Sequence, residues 1–135
     1  MQRTLLKSKI HRATVTACDL NYVGSLTVDS TLLDLADIAE YEQVHVVNVN
    51  NGARFLTYAI LGEPGSGQMQ VNGAAARLAH HGDTIIVFSY AQYDEAEVAG
   101  FSPVVITVDH ANRSVPLEIA KEASQPDRAA GAGPS

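Results

Sequence analysis

The stretch "QVHVVNVNNGARFLTYAIL", residues 43–61, carries the clearest local signal in the chain. Two runs rich in β-branched and aromatic residues flank Asn51-Gly52, a dipeptide that supplies the positive φ values of a tight turn, so the stretch is predicted as a β-hairpin. Upstream, Ala13, Val15 and Ala17 in "HRATVTACDL" alternate with Thr14, Thr16 and Cys18, the two-residue period of a half-buried strand running towards Gly24. In "SLTVDSTLLDLADIAEYE", Leu26 and Val28 alternate as in a strand. Asp29 or Ser30 then caps a short helix carrying Leu32, Leu33, Leu35, Ala36 and Ile38.

Downstream, "EPGSG" reads as a loop, and "MQVNGAAARLAHHGD" as a short strand, a turn at Asn72-Gly73, one or two helical turns and a stop at Gly82. "DTIIVFSY" is a strand and "YDEAEVAGF" a brief helix; "PVVITVD" is a strand, "HANRS" a turn and "VPLEI" a last short strand. Several short strands broken by short helices, without repeats or regular strand-helix alternation, predict a mainly β, single-domain barrel rather than a doubly wound sheet. The domain is expected over residues 1–118, with 119–135 as a disordered tail. From Lys121 onward the chain is small, polar and rich in Pro and Gly, with too little apolar surface to offset the entropy of ordering it.

A chain of 135 residues suits one domain and is too short for separate cofactor and substrate domains. Nine Lys plus Arg against fifteen Asp plus Glu give a formal charge of −6, so no positive field draws nucleic acid. The lone Cys18 forms no internal disulfide and suits a reducing cytosol; no run is long and apolar enough to cross a bilayer, so a soluble cytoplasmic protein is expected.

Familiar catalytic signatures are absent. There is no phosphate loop and no Gly-x-Gly-x-x-Gly fingerprint. His80-His81 is a poor metal pair, because neighbours on a helix or a strand diverge and no further ligand stands at a recognised spacing; no metal is expected. His11 and Asp29 with Ser25 make a weak hydrolase triad, since Ser25 lacks the Gly-x-Ser-x-Gly elbow. What remains is a set of polar residues in strand-like or small-residue surroundings: Lys9, His11, Tyr22, Gly24-Ser25, Arg54, Thr57-Tyr58 and "VNGAAA" at 71–76. Residue chemistry alone reads Gly24-Ser25 as an ordinary turn. It reads "NGAAA" as a capped helix start whose backbone N–H groups could also converge on an anion.

Taken in order, "RTLLKSKIHRATVT", "YVGS", "NGARFLTYAI", "GEPGSG" and "VNGAAARL" resemble the aspartate 1-decarboxylase family, the pyruvoyl-dependent enzymes that make β-alanine for pantothenate and hence coenzyme A. The resemblance covers residues 1 to about 110; Asn21 stands where many members carry His, and Pro64 where Arg is frequent. It implies a double-psi β-barrel that cuts its own chain between Gly24 and Ser25 and converts Ser25 into a covalent pyruvoyl cofactor. It also implies decarboxylation of L-aspartate in a homotetramer with active sites between subunits, and no separate maturation factor is indicated.

By the same resemblance, Tyr58 donates the proton that completes the product, Arg54 pairs with a substrate carboxylate, Gly73, Ala74 and Ala75 offer backbone donors, and Lys9 adds positive charge. Thr57 is expected to hold the Gly24 carbonyl during cleavage and to border the substrate later, with Tyr22, His11 and Asn72 as supporting residues. Strand alternation places Arg54 and Tyr58 on one face and Thr57 on the other, so either a bulge intervenes or two subunits share the site. The other function class is a barrel of the same fold that only binds small anions or a partner, and its chain would stay intact.

Overall fold

The computed structural model describes residues 1–116, and the tail expected over 119–135 lies outside them. Nine strands, β1 (Gln2–Thr14), β2 (Ala17–Asp19), β3 (Ser25–Asp29), β4 (Gln43–Asn48), β5 (Arg54–Gly62), β6 (Met69–Asn72), β7 (Thr84–Asp94), β8 (Val104–Val108) and β9 (Ser114–Val115), form one mixed sheet. Its order is β2-β6-β3-β5-β4-β7-β1-β8-β9. Short helices α1 (Ser30–Leu35) and α2 (Glu95–Val98) and a 3₁₀ helix over Gly73–Leu78 fill the connections. The mainly β, short-helix architecture agrees with the expected barrel.

The hairpin forms, but through a five-residue connection over 49–53 in which Gly52, not Asn51, takes the positive φ. β4 and β5 pair antiparallel from Gln43↔Tyr58 to Val47↔Arg54, and Gly52 at the turn takes φ +75°. The register has no break over these residues, so no bulge re-aims Arg54, Thr57 or Tyr58. Phe55 and Ala59 are buried in the core, which puts Thr57 on the core-facing side and Arg54, Leu56 and Tyr58 on the other. Val44 and Val46 of β4, Ile85 and Val87 of β7, and Ile10 and Ala13 of β1 join the same core.

Two expectations need correction. The first strand does not begin near His11 but runs from Gln2. Its period is concealed by two irregularities against β7, between Leu6 and Ser8 and between Ile10 and Ala13, the second holding Arg12 at φ 60°. No separate turn occurs at Asn72-Gly73 either. Asn72 ends β6, and the following helical turns are 3₁₀, entered directly through Gly73 at φ +75°.

The end of β3 is anchored by Asp29. Its buried carboxylate accepts from the backbone N–H of Thr31 (2.9 Å), capping α1, and from those of Gly65 and Gly67 (both 2.9 Å) in the "EPGSG" loop. Asn112 holds that loop from the other side, donating to the carbonyls of Gly67 and Thr14, both at 2.8 Å. These bonds fix one end of the strand whose other end is Ser25.

Candidate active site

Strand β3 lies between two partners. It runs antiparallel to β6, with Ser25 opposite Asn72 and Thr27 opposite Gln70, and parallel to β5, with Leu26 opposite Ala59. That parallel pairing begins at Leu26↔Ala59, and Tyr58 and Thr57 precede Ala59 on β5 as Ser25 and Gly24 precede Leu26.

Ser25 is fully buried, although residues 20–24 before it are exposed. Its hydroxyl donates to the Val23 carbonyl (2.9 Å) and accepts from Asn72 Nδ2 (3.0 Å). Asn72, also fully buried, donates to Thr27 Oγ1 (2.9 Å) as well and accepts at Oδ1 from Gln70 Nε2 (2.8 Å). Its side chain therefore does not cap the 3₁₀ helix that follows. The first N–H groups of that helix, at Gly73, Ala74 and Ala75, have no intrahelical acceptor by geometry.

The exposed segment begins in a local turn in which Asn21 N–H donates to the Asp19 side chain at Oδ1 (3.0 Å). Gly73 lies directly against the peptide before Ser25: a Cβ there would meet Gly24 Cα at 2.5 Å, Gly24 N at 2.8 Å and the Tyr22 carbonyl oxygen at 3.3 Å. Tyr22 itself is half exposed.

Other sequence-predicted residues lie elsewhere on the sheet. Lys9 and His11 are on β1, four strands from β3 in sheet order. The Lys9 ammonium is 6.0 Å from the Phe88 ring centroid, and partial burial lowers its pKa. Burial, and then the charges of Lys9 and Arg12, push His11 down to about 4, so it is neutral at pH 7. Its Nδ1 is buried and has no hydrogen-bond partner among the described residues. Arg54 is exposed, beside Leu56, which is 56% exposed. One chain thus assembles Tyr22, Gly24, Ser25, Asn72 and Gly73, places Thr57 and Tyr58 on the adjacent strand with Arg54 at the exposed start of that strand, and carries Lys9 and His11 on β1.

Sequence reasoning missed Gln70 and Thr27. The alternation within "MQVN" and "SLTV" was the available signal, since it sets Gln70 with Asn72 and Ser25 with Thr27 on common faces. Among the described residues no cluster of His, Cys, Asp and Glu suits a metal ion, and no helix is long and apolar enough to cross a membrane.

These features define a small mixed-sheet β protein built around a buried serine that follows an exposed glycine turn. Residues 1–115 match the family described as Aspartate decarboxylase, and the chain belongs to that family. It is similar to an aspartate 1-decarboxylase of Syntrophobacter fumaroxidans, 60% identical over 113 residues, which cover 84% of this chain and 91% of that protein. It is also similar to one of Albidiferax ferrireducens, 58% identical over 113 residues and 84% of each chain, and one of Polaromonas naphthalenivorans, 53% identical over 126 residues, 89% of this chain and 99% of the relative.

Proposed function

We propose that this protein is a cytoplasmic aspartate 1-decarboxylase that cuts itself between Gly24 and Ser25, carries a pyruvoyl group made from Ser25, and converts L-aspartate to β-alanine and carbon dioxide for pantothenate synthesis. The observation that carries the reading is the state of Ser25: a buried hydroxyl gripped by Asn72, at the end of an exposed glycine turn that packs on Gly73. A serine needed only for a turn has no reason to be buried and hydrogen-bonded from a second strand.

In cleavage, Ser25 Oγ forms a bond to the Gly24 carbonyl carbon, the carbon–nitrogen bond breaks, and the hydroxyl proton passes to the freed nitrogen. Thr57, on the strand that pairs with β3 from Leu26 onward, is the residue assigned to donate to the oxyanion. Loss of the Ser25 Cα proton then expels Oγ as part of the Gly24 carboxylate, and water displaces the nitrogen as ammonia. The resulting group supplies a ketone carbonyl that acts as an electron sink when a carboxylate leaves as carbon dioxide.

The chain's own residues do the rest. Arg54 pairs two-pronged with a substrate carboxylate, Lys9 adds positive charge, and the N–H groups of Gly73, Ala74 and Ala75 hold the other carboxylate. Tyr58, on the same strand as Thr57, delivers a proton from its phenol to the carbon that lost carbon dioxide. Tyr22 belongs to the turn, and His11 is a supporting residue on β1. Because Arg54 lies exposed at the start of β5 while Ser25 is buried, and no bulge redirects β5, a homotetramer with sites shared between neighbours completes the constellation.

Denaturing mass spectrometry of the purified protein tests this reading. The expected products are residues 1–24 and a chain of residues 25–135 beginning with pyruvoyl, together with β-alanine formed from aspartate and little turnover of alanine. An intact chain without activity would instead fit an anion-binding module of the same fold.

A further inference from the structure

Positions 25, 27, 70 and 72 form a square of four side chains across the antiparallel pair β3–β6, and its hydrogen bonds have a single consistent direction. The Val23 carbonyl can only accept, so it takes the one proton of Ser25 Oγ, at 2.9 Å. Whatever faces that oxygen from Asn72 must therefore donate, which sets the amide with Nδ2 towards Ser25 and Thr27 and Oδ1 towards Gln70. Gln70 completes the series by donating Nε2–H to Asn72 Oδ1 at 2.8 Å. The donors run Gln70 to Asn72 to Ser25 to Val23, and each polarises the next.

We propose that Gln70 is a positioning residue for self-cleavage: its side-chain donor locks the Asn72 amide so that Asn72 Nδ2 donates to Ser25 Oγ. The proposal rests on the self-cleavage reading. Reversing the amide would turn Asn72 Oδ1 towards Ser25 and leave Oγ without an N–H donor. The donor acts twice. It aims one Oγ lone pair at Asn72 and leaves the other for the Gly24 carbonyl carbon as the carbon–oxygen bond forms. In the elimination it stabilises the negative charge on Oγ, which departs with the Cβ–Oγ electron pair as a carboxylate oxygen. Thr27 assists by accepting the second Nδ2 hydrogen.

Gln70→Glu separates this role from a packing role, because it keeps shape and exchanges a donor for an acceptor. When ionised, the introduced carboxylate draws Asn72 Nδ2 to itself; when protonated, it donates its O–H to Asn72 Oδ1 and restores the wild-type direction. The titratable groups on the flanking strands are Asp19 and Cys18 of β2 and Asp29 of β3, and the negative charge of the two aspartates favours protonation of the introduced carboxyl. The cut fraction of freshly purified full-length chain is followed on denaturing gels from about pH 8 to about pH 5, with cooperative melting recorded for each variant. Gln70→Glu is expected to mature roughly tenfold or more slowly at the alkaline end, the scale of one lost charge-stabilising hydrogen bond, and to regain rate relative to wild type as pH falls. Gln70→Met is expected to be slow at every pH, and neither change is expected to slow an Asn72→Asp chain further, because Gln70 acts through Asn72. Gln70→Glu or Gln70→Met maturing at the wild-type rate at all pH values would overturn the positioning role alone. A wild-type chain that never cuts would remove the cleavage reading itself, and the proposal with it.

Discussion

Gly73 is pressed against Gly24: a β-carbon at position 73 would fall 2.5 Å from Gly24 Cα, and Gly73 holds φ +75°. Gly24, by contrast, has no atom of the described residues within 4 Å of where its own β-carbon would stand, its chain neighbours aside. The glycine that sterics require is Gly73, which faces the turn, rather than Gly24 within it. Gly73→Ala is expected to lose about 1–3 kcal/mol of stability from strained backbone and displaced turn, and to slow maturation at least ~10-fold. Gly24→Ala is expected to melt within about 0.5 kcal/mol of wild type, as exposed substitutions do. Urea melts and the cut fraction of both variants decide it; a Gly73→Ala chain as stable and as quickly cut as wild type would refute the contact's role.

Tyr58 and Thr57 are adjacent in sequence but face opposite sides of β5, so their failures should occur at different stages. Tyr58→Phe keeps the ring and loses the acidic hydroxyl. It should mature normally and lose roughly two to four orders of magnitude in β-alanine formed per cut chain. Thr57→Val keeps the β-branched shape and cannot donate to the Gly24 carbonyl, so uncut chain should accumulate. The division of roles is wrong if Tyr58→Phe stays uncut, or if Thr57→Val matures at the wild-type rate.

The hairpin and the α1 cap were legible because each depends on local chemistry: Asn51-Gly52 for the turn, and Asp29 two residues before Thr31 for the cap. The start of β1 was hidden because its irregularities at Lys7 and at His11-Arg12 break the period on which sequence reading relies. Ser25 and Asn72 were visible only through family resemblance. Nothing local says that residues 47 positions apart will face each other across two strands. Gln70 was invisible for a related reason: its importance lies in which way it turns another side chain, and that follows only once the pairing of β3 with β6 is known.

His11 gives the fold a sensitivity to mild acid. Its folded pKa of about 4 lies below the ordinary 6.5, so between these values the unfolded chain binds more protons at this residue than the folded one. Stability therefore rises with pH across that window and is lost as pH falls from about 6.5 towards about 4. In His11→Gln, the slope of melting temperature against pH should flatten over that range. An unchanged slope would mean that His11 protonates as readily in the folded chain as in the unfolded one.

Asp29 ties α1 and the 63–67 loop to the end of β3. Burial pushes its pKa up, but the N–H groups of Gly67, Thr31 and Gly65 outweigh that and hold the carboxyl below the usual range. Its stabilisation is thus present above the unfolded value of about 3.9 and disappears as pH falls through the lower folded value. Asp29→Ala orphans three backbone donors and is expected to cost about 3 kcal/mol at pH 7 by urea denaturation. A loss under about 1 kcal/mol would show that water replaces the carboxylate without penalty.

Arg54 and Ser25 provide the sharpest test of a site shared between subunits. In one chain Arg54 is exposed on the outer face of β5, near its start, whereas Ser25 is buried at the start of β3. The unbroken β4–β5 register leaves no local distortion to reconcile them. The same outer face carries Leu56, 56% exposed, and β7, on the far side of β4, carries Tyr90, 42% exposed, apolar surface suited to a second copy. Ser25→Ala and Arg54→Ala chains should each be inactive when expressed alone, the first for want of the reactive group and the second for want of its carboxylate partner. Co-expressed with distinguishable tags and purified through both, they should regain activity, because roughly one site in four of a random symmetric assembly pairs an intact Ser25 from one copy with an intact Arg54 from its neighbour. If both residues act within one chain, every site in the mixture carries a defect and no activity returns. Recovery to about a quarter of wild type therefore assigns Arg54 to the neighbouring subunit's site, and failure to recover in a purified hybrid assigns it to its own.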